Sequence, residues 1–195
     1  MMYKDNIAQM FTEIFKKIIQ DDFLNMSSLN GEIPFWIASY NPEQENEVAK
    51  AYSGLLRKTE KQGIKILDLN LYDIAMQLLE EHLGREEMFE LETEMNKEEF
   101  KEALQSILNM QEVLMPHLKK MIDQSDAKIY FISGVGTVFP FFRSHNILNN
   151  LQKIALNAPT VMFFPGKYTG RNLQLFGLLT DDNYYRASFL YPQKH

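Results

Sequence analysis

The sequence predicts an α/β fold in which helices flank a mostly parallel β-sheet. Short apolar runs of strand character alternate along the chain with segments whose apolar residues recur at helical spacing. A chain of 195 residues with 45% hydrophobic residues can bury a complete core without a metal or a disulfide. Because of this length, we expect one α/β domain over residues 1–195. Strands joined through helices usually run parallel with right-handed crossovers, so the sheet is expected to be mostly parallel.

The first helix and the first strand are predicted from two neighbouring patterns. In "NIAQMFTEIFKKIIQ", apolar residues recur three and four positions apart from Ile7 to Ile19, which predicts an amphipathic helix. The run "IPFWIASY" is apolar and ends at Asn41-Pro42, a combination typical of a buried strand.

The next three elements continue the alternation. The segment that begins at Pro42 opens with acidic residues and closes with Lys61 and Gly63, so both ends of a helix are indicated. "IKILDLN" then reads as a second strand. Asn70 is placed to cap a following helix through "LYDIAMQLLEEH".

A long segment over residues 84–125 is rich in Glu, Met and Leu. Its apolar residues keep helical spacing around Leu104 and again around Leu118. We therefore expect a helical insertion of two or three helices at this point of the α/β pattern.

The C-terminal third returns to strand character. "AKIYFISGVG" predicts a third strand, "FPFFRSHNILNNLQKIAL" a loop that turns into a helix, and "PTVMFF" a fourth strand. "LQLFGLL" and "YYRASFLY" flank "TDDN", whose residues suit a tight turn. This arrangement predicts a C-terminal antiparallel hairpin at the edge of the sheet.

Composition limits the classes of function. The chain has no cysteine, which excludes disulfides and thiolate sites, and no run approaches the ~20 apolar residues of a membrane span, so we expect a cytoplasmic protein without a membrane contact. Residues 1–126 contain 13 Lys and Arg against 24 Asp and Glu, whereas residues 127–195 contain 7 Lys and Arg against 2 Asp. The overall charge of −6 disfavours direct DNA contact as the main role.

The carboxyl ends of parallel strands, where α/β folds hold ligands, carry two glycine turns, one with Gly134 and Gly136 and one with Gly166 and Lys167. Gly134 and Gly136 follow the third strand and resemble part of a phosphate-binding turn, but no lysine follows the second glycine and position 139 is Phe. We interpret them first as glycines that permit a sharp turn and close packing. Lys167 and Arg171 in "PGKYTGR" are able to neutralise a phosphate or an acidic side chain, although loop cations are more often simply solvated.

Other reactive residue types form no recognisable set. His145 lies beside Arg143, but a catalytic triad is defined by spatial geometry and not by sequence neighbours. Asp181 and Asp182 are interpreted as turn residues, and the histidines share no zinc-ligand spacing. We therefore expect no metal, no cofactor and no catalytic residue.

Four segments, read in order, resemble the BrxB family of the BREX bacteriophage-exclusion systems. They are "NGEIPFWIASYNPEQE", "GIKILDLNLYDIAMQLLE", "YFISGVGTVFPFFRSHNILNNLQ" and "FFPGKYTGRNLQLFGLLTDDNYYRASFLYP". The resemblance implies a cytoplasmic bacterial accessory protein that works beside a methyltransferase, an ATPase and the alkaline-phosphatase-like PglZ. Other BREX proteins, PglZ above all, are then the expected partners.

The family pattern assigns no catalytic residue, so the matching positions are candidates for binding a partner or an anion. Lys167 departs from the pattern, in which an acidic residue follows Pro-Gly. Tyrosine and arginine are enriched at binding hot spots, which favours docking over catalysis. The alternative is a nucleotide-binding or nucleotide-cleaving enzyme built on the turn after the third strand. The candidates are Gly134, Gly136, Arg143, His145, Gly166, Lys167, Tyr168, Arg171, Asp181, Asp182, Asn183, Tyr184, Tyr185 and Arg186.

Overall fold

The computed structural model describes residues 6–27, 33–180 and 186–191, with His145 and Thr180 described by their backbone alone. It confirms an α/β fold with helices on both faces of a mostly parallel sheet. The helices are α1 (Ile7–Ile18), α2 (Asp21–Leu24), a 3-10 helix (Pro42–Gln44), α3 (Glu45–Lys61), α4 (Leu71–His82), α5 (Arg85–Glu94), α6 (Lys97–Ile107), a π-helix (Met110–Leu114), α7 (Met115–Asp123) and α8 (Ser144–Ile154). The strands are β1 (Phe35–Tyr40), β2 (Ile66–Asn70), β3 (Ile129–Ser133), β4 (Thr160–Tyr168), β5 (Leu173–Leu175), β6 (Leu179–Thr180) and β7 (Ser188–Phe189).

The main sheet has the strand order β2-β3-β4-β1-β7, and each neighbouring pair in it is parallel. The chain crosses from β1 to the distant β2 through α3 on one face. It returns through β3 to β4 with α4–α8 on the opposite face. Because the direction of crossing and the face both reverse, the crossovers keep the same hand, as parallel sheets require.

Each face of the sheet has its own apolar core. Trp36 and Phe163 point toward α1, α2 and α3, whereas Phe35 and Phe164 point toward α4–α8. Side chains of a strand alternate between faces, so a strand covered on both faces must be apolar throughout. This explains why all six residues of β1 are buried.

Two of the helices, α4 and α6, begin at asparagine side-chain caps. Asn70 caps α4 as expected, because its side chain accepts hydrogen bonds from the backbone of Tyr72 and Asp73. Asn96 and Glu99 form a reciprocal capping box at the start of α6. The helical insertion holds α5, α6 and α7, and the π-helix leads directly into α7.

A C-terminal antiparallel hairpin is present, as predicted, but the strands that form it are not the predicted ones. The hairpin forms within "LQLFGLL": β5 pairs antiparallel with β4, and β6 pairs antiparallel with β5. Phe176 and Gly177 have φ values of 56° and 69°, and these left-handed residues reverse the chain between β5 and β6. The segment expected to complete the hairpin instead supplies β7, which lies parallel to β1 at the opposite edge of the main sheet.

Within the described ranges, no helix combines the length and the apolarity that crossing a membrane requires.

Candidate functional site

The carboxyl ends of the parallel strands meet at one edge of the sheet, as the sequence predicted. Tyr40 at the end of β1 lies opposite Pro165 of β4, and Asn70 at the end of β2 lies opposite Ser133 of β3. β4 continues past this edge to Tyr168 and carries β5 with it. The β5–β6 hairpin therefore sits over the edge where α/β proteins usually hold a ligand.

Two asparagines at this edge serve the fold. Asn41 is 2% exposed, and its Oδ1 accepts a hydrogen bond from the backbone N–H of Glu43 at 3.0 Å. The Oδ1 of Asn70 accepts from the backbone N–H groups of Tyr72 at 3.1 Å and of Asp73 at 3.3 Å. Both side chains thus cap the helical turns that follow them.

The turn that contains Gly134 and Gly136 lies close to Pro165, which precedes Gly166 in the second glycine turn. Side chains fill the space around the first turn. Gly134 has a φ of +71°, and a Cβ placed there would lie 2.4 Å from Oδ1 of Asn70. A Cβ on Gly136 would lie 2.8 Å from Cγ of Pro165 and 3.0 Å from the ring of Phe176. These contacts agree with the interpretation of both glycines as packing residues.

The loop cations and the tyrosine between them have different environments. Lys167 and Arg171 are exposed. Tyr168 is buried, its hydroxyl donates a hydrogen bond to the carbonyl oxygen of Ala187 at 2.7 Å, and its ring lies 4.8 Å from that of Phe189. Tyr168 therefore holds the C-terminal segment against the hairpin.

The remaining sequence candidates that the structure describes lie on other segments. Arg143 is exposed and immediately precedes α8, and the backbone of His145 lies in the first turn of that helix. Arg186 is exposed, and its carbonyl oxygen accepts a hydrogen bond from Nε2 of Gln152 at 2.9 Å. The candidates outside the described residues are Asp181, Asp182, Asn183, Tyr184 and Tyr185. Among the residues that are described, no three His, Asp or Glu side chains are grouped as metal ligands.

The turn between β5 and β6 presents apolar side chains that the sequence analysis did not single out. We call residues 176–179 the hairpin tip. Leu178 is 82% exposed and Leu179 is 45% exposed. The sequence showed only a strand-like run here, and the exposure follows from the unpredicted reversal at Phe176 and Gly177.

Two tyrosines, the buried Tyr40 and the half-buried Tyr52, form hydrogen bonds to carboxylates near the same edge, and the sequence analysis missed both pairs. Tyr40 donates to Oε2 of Glu45 at 2.7 Å, and Tyr52 donates to Oδ1 of Asp68 at 2.6 Å. Burial, followed by the adjacent carboxylate, raises the pKa of each tyrosine far above its usual value. Both phenols therefore remain protonated donors, which fits positioning of the carboxylates and not proton abstraction.

Asp68→Asn is expected to change how stability depends on pH. Burial raises the pKa of Asp68, the Tyr52 hydrogen bond opposes this, and the charge of Asp73 adds to the rise. Because the pKa of Asp68 is higher in the folded state than in the unfolded state, the folded chain binds more protons at pH values between the two. The stabilisation that this carboxyl contributes is fully present when the pH is below its pKa in the unfolded state. It is lost as the pH rises through its pKa in the folded state.

Urea unfolding of both proteins from about pH 4 to about pH 7 measures this effect. The free energy of unfolding of the wild type, relative to that of Asp68→Asn, should increase as the pH falls. A difference that stays constant, or that shrinks on acidification, would contradict the assigned direction of the pKa shift.

Comparisons with known proteins agree with the resemblance seen in the sequence. The family described as "BREX protein BrxB" matches residues 67–190. A BREX protein BrxB of Bacillus cereus (strain H3081.97) is 34% identical over 185 residues, which cover 93% of this chain and 95% of that protein. A BREX protein BrxB of Escherichia coli O9:H4 (strain HS) is 32% identical over 181 residues, which cover 93% of this chain and 90% of that protein. No solved structure matches the chain. The chain therefore belongs to the BrxB family, and its role lies in BREX defence against bacteriophages.

Proposed function

We propose that the protein is a non-catalytic adaptor of the BREX system that binds another BREX component through its hairpin tip. The observation that carries this proposal is the exposure of Leu178 and Leu179 on a hairpin that pairs antiparallel with β4. Because strand pairing already orders the backbone of this hairpin, a partner that covers the leucines does not have to order that backbone.

The chemistry of the carboxyl edge supports binding in preference to catalysis. Asn41 and Asn70 cap helices, Tyr168 bonds to the C-terminal segment, and side chains occupy the space around both glycine turns. The hydroxyls of Tyr40 and Tyr52, which bond to carboxylates near this edge, have pKa values raised far above the usual range and stay protonated. The rival function, a nucleotide-binding or nucleotide-cleaving enzyme, would need an open glycine cradle at Gly134 and Gly136.

The charge around the hairpin tip indicates the kind of partner surface. Lys167 and Arg171 are exposed on the segment that leads into β5. An apolar patch with acidic residues at its rim would complement the leucines and these cations. Among BREX proteins, we propose PglZ as the partner, as the family resemblance implies.

Size-exclusion chromatography and titration calorimetry with purified PglZ test the proposal. The wild-type chain should co-elute with PglZ at micromolar concentration. Replacing Leu178 and Leu179 together by Asp should weaken binding by about tenfold or more, because two charges would be buried at the contact.

Leu156→Asp is the matched control, since Leu156 is 54% exposed and lies outside the hairpin. It should bind PglZ like the wild type. Absence of co-elution would overturn PglZ as the partner. Unchanged binding by the double variant would overturn the hairpin tip as the surface.

A further inference from the structure

A polar groove lies between the helical insertion and the start of α8, apart from the hairpin tip. Its volume is about 430 Å³, within the range of about 300–1,000 Å³ typical of ligand sites. Gln105 and Gln111 form one wall, and Pro140, Phe141 and Arg143 form part of the other.

Hydrogen bonds join the segments on the two sides of the groove. Nε2 of Gln105 donates to the carbonyl oxygen of Pro140 at 2.9 Å, and Nε2 of Gln111 donates to Oδ1 of Asn150 at 3.3 Å. These bonds connect segments 35 and 39 residues apart in sequence. The groove is therefore preformed, which lowers the entropic cost of filling it.

The lining residues that the structure describes are mostly polar but uncharged or apolar. Arg143 is the one charged side chain among them, and the others that are polar are the carboxamides of Gln105, Asn109, Gln111 and Asn146. A carboxamide carries both a donor and an acceptor, as a peptide group does. Arginine forms paired hydrogen bonds with a carboxylate.

The position of Arg143 strengthens the attraction for negative charge. Arg143 precedes α8 as its N-cap residue and makes no side-chain cap hydrogen bond there. The positive end of the helix dipole therefore adds to the guanidinium charge at the same end of the groove. Phe141 and Pro140 supply apolar surface beside it.

We propose that this groove binds an extended acidic peptide segment of a partner protein. Carboxamide atoms that the bonds above do not use, Oε1 of the two glutamines and the side chain of Asn146, would pair with its backbone. Arg143 would bind one of its Asp or Glu side chains. Nucleic acid is disfavoured, because a single cation in the lining would neutralise few of the phosphates that contribute most to its affinity. The proposal concerns a surface other than the hairpin tip and does not depend on PglZ binding there.

Selection from a phage-displayed library of random octapeptides on the full chain tests the groove. Enriched peptides should be rich in Asp and Glu. A fluorescein-labelled copy of the most enriched peptide should bind Arg143→Glu about tenfold more weakly than the wild type in fluorescence anisotropy. Binding should also weaken as salt is raised.

Arg57→Glu is the matched control, because Arg57 is an exposed arginine on α3 outside the groove. Its affinity should stay within about twofold of the wild type. The variant with Asp at Leu178 and Leu179 should bind the peptide normally, which separates this test from that of the adaptor function. Thermal unfolding establishes that each variant is folded, and Arg143→Gln replaces Arg143→Glu if the latter is not.

Three results would overturn the proposal. They are a library that yields no enriched peptide, enriched peptides without acidic residues, and equal affinity of the wild type and a folded Arg143 variant.

Discussion

Replacing Phe163 with alanine is expected to lower the free energy of unfolding by about 3–5 kcal/mol. Phe163 lies on β4 and is 2% exposed. Its ring centroid is 4.8 Å from that of Tyr52, 5.3 Å from that of Phe131 and 5.7 Å from that of Phe11. The substitution removes contacts to two helices and a neighbouring strand at once, and the sheet cannot easily collapse into the resulting cavity.

Urea denaturation measures the loss, and thermal unfolding should show a midpoint about 6–20 °C lower. Phe89→Ala removes the same ring from a position on α5 that is 57% exposed. It should change the free energy of unfolding by no more than about 0.5 kcal/mol. A loss below about 1 kcal/mol for Phe163→Ala would show that the aromatic cluster is not tightly packed.

The sequence was sufficient to predict elements whose signals are local. Helix α1 follows from apolar spacing, and α4 follows from the Asn70 cap and the apolar residues after it. The covered sheet follows from β1, whose continuous apolar run is a signal of burial on both faces.

The pairing of the C-terminal strands depends on contacts between distant segments. Ser188 pairs with Trp36, which precedes it by most of the chain, and no local pattern encodes that choice. The true hairpin turn was also hidden, because a phenylalanine rarely takes the left-handed conformation that Phe176 adopts. The "TDDN" segment carried stronger turn residues and attracted the prediction.

The same reason limits prediction of the site. Parallel topology was enough to place Gly134 at the carboxyl edge, and the incomplete phosphate motif already favoured packing. Which atoms fill the turn was not predictable, since Asn70, Pro165 and Phe176 reach it from separate elements. The Tyr52–Asp68 hydrogen bond likewise joins a helix to the following strand and has no sequence motif.

Gly166→Ala is expected to have the largest effect on the hairpin. A Cβ at this position would lie 2.1 Å from the carbonyl oxygen of Gln174 and 2.9 Å from the ring of Phe164. Gly166 also has a φ of +156°, which residues with a side chain rarely adopt. Backbone strain and the clash together should cost about 2–4 kcal/mol, measured by urea denaturation.

Gly54→Ala provides a matched control for the same chemical change. A Cβ at Gly54 meets nothing within 4 Å, and the residue lies inside α3, where alanine is preferred to glycine by about 1 kcal/mol. This variant should be as stable as the wild type or more so. Equal stability of Gly166→Ala and the wild type would contradict the close approach of β4 and β5.

The clash at Gly166 also connects the fold to the proposed adaptor role. Gly166 pairs with Leu175, the residue that precedes the hairpin tip, so separating β4 from β5 displaces Leu178 and Leu179 without altering them. At a temperature where Gly166→Ala remains folded, PglZ binding should therefore weaken while both leucines are intact. Normal binding by that variant would mean that the partner contacts a surface other than the hairpin tip.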